Sequence, residues 1–168
     1  MALSMYQASA PRFVNMLKNL AAILDKAEAH AEAKKIDPLV LTSARLYPDM
    51  FALARQVQVA SDTAKGAMAR LAGVEVPKYE DTEKTFAELK ARIDRTVAFI
   101  ESFKPAQIDG TEDKDLVIKL GAREMQWKGA QYLLGFALPN FYFHAATAYD
   151  ILRHNGLELA KRDFIGNV

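Results

Sequence analysis

The chemistry available to this chain starts from His144, near the middle of the stretch Leu138 to Gly156, with Asn140 one helical turn before it. A neutral imidazole can take a proton near physiological pH or ligate a metal, and an amide four residues away on a helix shares its face. Core-directed helices rarely carry both, because every buried polar group needs a partner. Earlier in the chain Asp49 and Gln56 stand seven residues apart, almost in line on a helix and at the margin of its apolar stripe. Asp49, Gln56, Asn140 and His144 are therefore the ligand-binding candidates, and His144 with Asp49 the metal candidates. Each also has an ordinary structural reading. Asp49 could cap its own helix just after Pro48, Gln56 could be a boundary residue, and His144 could be a buried imidazole with one polar partner.

Other chemistries lack their residues. The chain has no cysteine, so disulfides, thiolate catalysis and cysteine-ligated zinc are excluded together. Its three histidines are His30, His144 and His154. The last two are ten residues apart, which on one helix means about 15 Å along the axis and roughly 80° around it, too far to share an ion. His30 sits among charges near a helix C-terminus, where a cation suits the dipole. HExxH, HxxxH and Glu-x-x-His pairs are missing, as are GxSxG, GxGxxG and GxxxxGK. The aromatics Phe141, Tyr142, Phe143 and Tyr149 read as core packing rather than a cofactor box.

The elements that must position these residues follow from periodicity. Phe13, Leu17, Leu20, Leu24, Ala27 and Ala31 repeat at steps of four and three, predicting a first helix with a kink or a fresh start near Pro11. Asp37 caps a short helical turn over Leu39 to Leu46. A long second helix runs from Asp49 to Ala72, with the stripe Met50, Leu53, Val57, Ala60, Ala64, Met68 and Leu71, and Gly73 ends it. After a loop through Pro77, Asp81 or Thr82 caps a third helix, whose face is Phe86, Leu89, Ile93, Val97, Ile100 and Phe103. Ala106 to Asp115 reads as an exposed loop, and Leu116 to Leu120 with Glu124 to Lys128 as a hairpin turning at Gly121-Ala122-Arg123. Leu138 to Gly156 is the last helix, with Pro139 in its first turn and Gly156 past its end. Arg153 lies near the helix end, where a cation favours the dipole, with Asp150 within pairing reach, and the tail after Gly156 packs on the bundle or on a second subunit.

At 168 residues, with about half apolar (51%), the chain fits one domain spanning 1–168. The expected fold is all-α, a four-helix bundle with a small β-hairpin between the third and fourth helices. A net charge of +1 supplies no field to recruit nucleic acid or an anionic membrane. No apolar run approaches the ~20 residues that span a bilayer, and the N-terminus has no signal-peptide pattern. A soluble cytoplasmic protein is the expectation.

Pro48 to Met50 (PDM), Pro139 to His144 (PNFYFH), Ala148 to Gly156 (AYDILRHNG) and Lys161 to Gly166 (KRDFIG) together resemble an uncharacterised bacterial family within the DinB/YfiT-like helical superfamily. The resemblance covers nearly the whole chain. It implies a four-helix bundle in which many members hold a divalent metal, such as zinc or nickel, through one histidine on the second helix and two, four apart, on the last. Some such members are thiol-dependent transferases or isomerases. Carried onto this chain, the last-helix pair falls on Asn140 and His144, and on the second helix only Asp49 or Gln56 could stand in. The metal triad is degraded. A homodimer is also implied. Three readings follow. The first is a non-enzymatic or small-ligand-binding bundle without a cofactor, and the second a divalent-metal-dependent, thiol-transferase-like enzyme using His144 and Asp49. The third is a partner-binding dimer.

Overall fold

A computed structural model describes residues 3–120 and 123–166. Helix α1 (Met5–Lys34) opens on Ser4, whose hydroxyl accepts from the Gln7 N–H. It continues unbroken past Pro11, where a kink or a fresh start was expected, so no second helix starts there. Pro11 and Gln7 both lie on the exposed face, so water can take the Gln7 carbonyl that the proline leaves without an N–H. After α2 (Pro38–Thr42), capped by Asp37, the chain bends through residues 46–50 before α3 (Leu53–Ala72). The second long helix thus begins four residues later than its pattern predicts. Asp49 sits in the bend and caps nothing, since Ala52 holds the N-cap position without a side-chain bond.

Helix α4 (Phe86–Glu101) likewise starts later than expected. Thr85, not Asp81 or Thr82, caps it in a reciprocal box with Glu88, a stronger solution because two orphan donors are satisfied at once. The 106–115 segment contains one helical turn, α5 (Pro105–Ile108), and buries Ile108. The hairpin is present as β1 (Asp115–Leu120) antiparallel to β2 (Arg123–Lys128), with Leu116 opposite Trp127 and Ile118 opposite Met125. Leu116 and Ile118 are buried while Val117 faces solvent, so the hairpin leans one face on the helices. Gly121 and Ala122, where the turn was placed, lie outside the described residues.

The last helix departs most from its expected start. The chain is already helical from α6 (Gly129–Tyr132), passes through a π-helical segment (Leu133–Ala137), and continues as α7 (Leu138–His154). Pro139 is therefore not at a free helix start. Its ring would crowd the carbonyl four residues back, and the wide turn just before it, with the Leu138 N–H bonded to the Leu133 carbonyl, relieves that conflict. At the other end Gly156 takes φ 88°, and the Leu157 and Gly156 N–H groups return to the Leu152 and Arg153 carbonyls at 3.1 and 3.2 Å. Arg153 donates to the Leu157 carbonyl rather than pairing with Asp150. The tail folds onto the chain's own first helix. In α8 (Lys161–Ile165) the Phe164 and Ile165 carbonyls accept from Asn19 and Asn15, and Asp163 pairs with Lys26 at 2.7 Å.

Helices α1, α4, α3 and α7 close a ring in that order around the core, with α7 returning against α1. At its centre Phe13 and Phe141, both fully buried, meet edge to face at 4.9 Å. Antiparallel α3 and α7 share the seam in which all of the helical site candidates lie.

Candidate functional site

Three polar rungs link α3 to the final helical run, two of them to α7 and one to α6. Gln56 meets His144 at 2.6 Å, Asn140 donates to the Thr63 hydroxyl at 2.9 Å, and Arg70 donates to the Tyr132 hydroxyl at 3.0 Å. Gln56, Thr63 and Arg70 recur every seven residues, which keeps them in one line along α3 with only ~20° of drift per step. On the facing strand of helix the steps are four and eight. The eight is where the π turn adds a residue, bringing Tyr132 back into register with Arg70. Asn140 is thus drawn to Thr63 and does not join His144.

Asp49, Gln56 and His144 do come together. With Met50, Phe51 and Phe143 they line a pocket of about 200 Å³. Phe51 and Phe143, both about half exposed, flank the imidazole, the first stacked at 6.4 Å and the second edge-on at 5.3 Å. Phe143 is therefore a pocket wall and not core packing. The helical pattern placed it in the aromatic run but could not say that its direction opens outward. Phe51 and Arg55 were also missed, since neither belongs to a polar pair or an apolar stripe.

The hydrogen bonds determine which way the imidazole acts. Gln56 Nε2 donates to the Phe51 carbonyl at 3.0 Å, which turns the Gln56 carbonyl oxygen toward His144 Nδ1. An acceptor there requires Nδ1 to carry the hydrogen. Nε2 is then left with its lone pair. Burial first, and the Arg55 guanidinium second, hold the imidazole below its ordinary range, so it is a neutral acceptor at physiological pH. Arg55 is kept close by its ion pair to Asp81 and lies over the Phe51 ring at 5.7 Å.

Of the residues that the resemblance sets at metal-ligand positions, Gln56 and Asn140 are neutral amides, and both make hydrogen bonds here, Gln56 with His144 Nδ1 and Asn140 with Thr63. Among the described residues no group of three histidine, cysteine, aspartate or glutamate side chains converges.

This helical bundle, with its hairpin ahead of the final helix, is DinB-like. It is similar to the crystal structure of a DinB family member protein from Shewanella denitrificans, at 43% identity and a TM-score of 0.88 over 97% of this chain and 92% of that one. Residues 5–165 match the family described as "Domain of unknown function (DUF1993)", and the chain belongs to that family. A search of the curated proteins finds no match.

Proposed function

We propose that the pocket formed by the 46–52 bend, α3 and α7 binds a small, largely apolar molecule carrying one hydrogen-bond donor, and that it does so without chemistry on that molecule. The observation that carries this reading is the neutral His144 ring, with Nδ1 committed to Gln56 and its remaining nitrogen an acceptor beside two aromatic walls. An O–H or N–H from the bound molecule satisfies Nε2, while Phe51 and Phe143 cover its apolar body. Phenol and anisole test the idea, because they share a ring and differ in the donor. Above the ordinary histidine range phenol is expected to bind about fivefold more tightly by ligand-detected NMR, as a single neutral hydrogen bond warrants. The sign with pH follows from the lowered imidazole. The acceptor persists down through the ordinary value of 6.5, and the phenol advantage fades only at lower pH, where Nε2 gains a proton. Equal affinities for the two probes above that range would sink the reading.

The second reading, a metal-dependent enzyme, draws support from Asp49 facing the same pocket as the His144 lone pair. There one carboxylate and one imidazole would hold a divalent ion, too few strong ligands for a tight site. Metal analysis of untagged protein purified without chelator is expected to return less than stoichiometric zinc, nickel or iron. A full equivalent that is lost in His144→Ala would favour the enzyme.

A further inference from the structure

The third rung opens onto a second pocket of about 230 Å³, between α3, the hairpin and the π segment. Arg70 forms no ion pair among the described residues, and its guanidinium meets only the Tyr132 hydroxyl there. Half-buried, it keeps the rest of its donor fork available. Gly66, one turn earlier, makes room for this, because a Cβ at that position would collide with Arg70 Nη1.

Two of the surrounding hydroxyls keep a hydrogen to donate, beside the Asn140 amide. The Tyr132 oxygen accepts from Arg70 and has its own O–H left to give. The Thr63 oxygen accepts from Asn140 and likewise keeps its hydrogen. Among the described residues Asp62 is the one carboxylate lining the pocket, and it is already engaged by Arg92 at 2.8 Å and by Lys65. Val59, Ile118 and Phe136 supply apolar walls. A site with an unpaired guanidinium, free hydroxyl donors and an apolar side asks for an anion with an apolar body.

We propose that this pocket binds a small monocarboxylate, its carboxylate on the Arg70 fork and Tyr132 hydroxyl and its apolar part against Phe136. Planar two-oxygen anions match a guanidinium fork, and the apolar walls disfavour a fully hydrated anion such as phosphate. The site is separate from the His144 pocket and does not depend on the reading given for it. The π turn gains a role here, since without its extra residue Tyr132 would rotate away from Arg70.

Benzoate, benzamide and inorganic phosphate are the probes, each titrated by NMR into the full chain and into Arg70→Gln and Tyr132→Phe. Benzoate is expected to bind more tightly than benzamide or phosphate. Arg70→Gln should weaken it at least about tenfold, as loss of a charged hydrogen-bonded partner warrants, and Tyr132→Phe by about fivefold. Tyr132→Phe keeps the ring that packs on Trp127, so it guards against a folding defect in the other variant. Benzamide or phosphate binding as well as benzoate would overturn the assignment, and so would benzoate affinity unchanged in both variants. Loss of benzoate binding in His144→Ala but not in Arg70→Gln would also overturn it, by moving the carboxylate to the other pocket.

Discussion

Arg92→Met is expected to destabilise the protein by about 3 kcal/mol, near the lower end of the range for removing one partner from a buried ion pair. The Arg92 side chain is 1% exposed and sits at the centre of a charge cluster. Its two terminal nitrogens reach Asp62 at 2.8 Å, Asp81 at 3.0 Å and Glu83 at 2.9 Å, and one also donates to the Glu80 carbonyl. A single guanidinium therefore ties α3 and α4 to the 74–85 connection, which carries no secondary structure of its own. Tyr79 completes the clamp, with Lys65 at 3.8 Å and Arg95 at 4.1 Å over its ring. Methionine fills a similar volume but leaves Glu83 without its cation, while Asp62 keeps Lys65 and Asp81 keeps Arg55. Glu83, 14% exposed, suffers most, while Asp62 and Asp81 keep about a third of their surface in water and lose less. Arg92→Lys should recover less than half of the loss, because an ammonium is a point charge and cannot serve three carboxylates from a planar fork. Urea unfolding with an unchanged m-value checks both variants. A methionine variant within about 0.5 kcal/mol of the parent, the usual scatter of surface changes, would show that the cluster holds nothing in place.

The stripes that build the bundle were legible because burial repeats with the helix. Leu53, Val57, Ala60, Ala64, Met68 and Leu71 are all fully buried, as their spacing requires. The family and its fold were legible too, in PNFYFH and ILRHNG. Partnership across elements was not. Arg92 and Asp62 lie 30 residues apart and Gln56 and His144 88 apart, and a face says only that a residue points inward, not what it meets. His144 could be chosen from its neighbours, but its tautomer depended on the Phe51 carbonyl, a backbone group with no sequence signature. Asn140 was misplaced for a related reason. Four residues before His144 it shares the helix face, yet the facing helix offers Thr63 at that level and Gln56 one rung away. The π turn broke a rule that usually holds. Proline just inside an apolar run marks a helix start, unless the preceding turn widens to receive it, and single-sequence periodicity carries no sign of one extra residue.

Gly129→Ala should cost about 3 kcal/mol, at the upper end of the range for overpacking, although it adds only a methyl group. Gly129 is buried at the start of α6, and its backbone angles are open to any residue, so the penalty is steric alone. A Cβ there would be driven into the Thr111 carbonyl oxygen, 3.1 Å from the carbonyl carbon and 3.4 Å from Leu71 Cδ2. That carbonyl has little freedom to retreat. The Gly129 and Ala130 N–H groups hold the Lys114 and Glu112 carbonyls at 2.9 Å each, and the Thr111 hydroxyl is fixed to the carbonyl of buried Ile108. Lys114 in turn reaches the Leu71 carbonyl that α3 leaves open at its C-terminus and shares the Arg70 carbonyl with the Gly73 N–H. Pushing the loop outward therefore loosens the end of α3 together with the root of the hairpin. Tyr132, one turn on from Gly129, moves with them, so benzoate affinity should fall alongside stability. Gly135→Ala is the matched control, because a Cβ there meets nothing within 4 Å. Replacing that exposed glycine should leave the protein as stable or up to about 1 kcal/mol more so, by restricting the unfolded chain. Chemical denaturation of both variants decides the matter, and equal midpoints for Gly129→Ala and Gly135→Ala would mean that the Thr111 carbonyl yields freely after all.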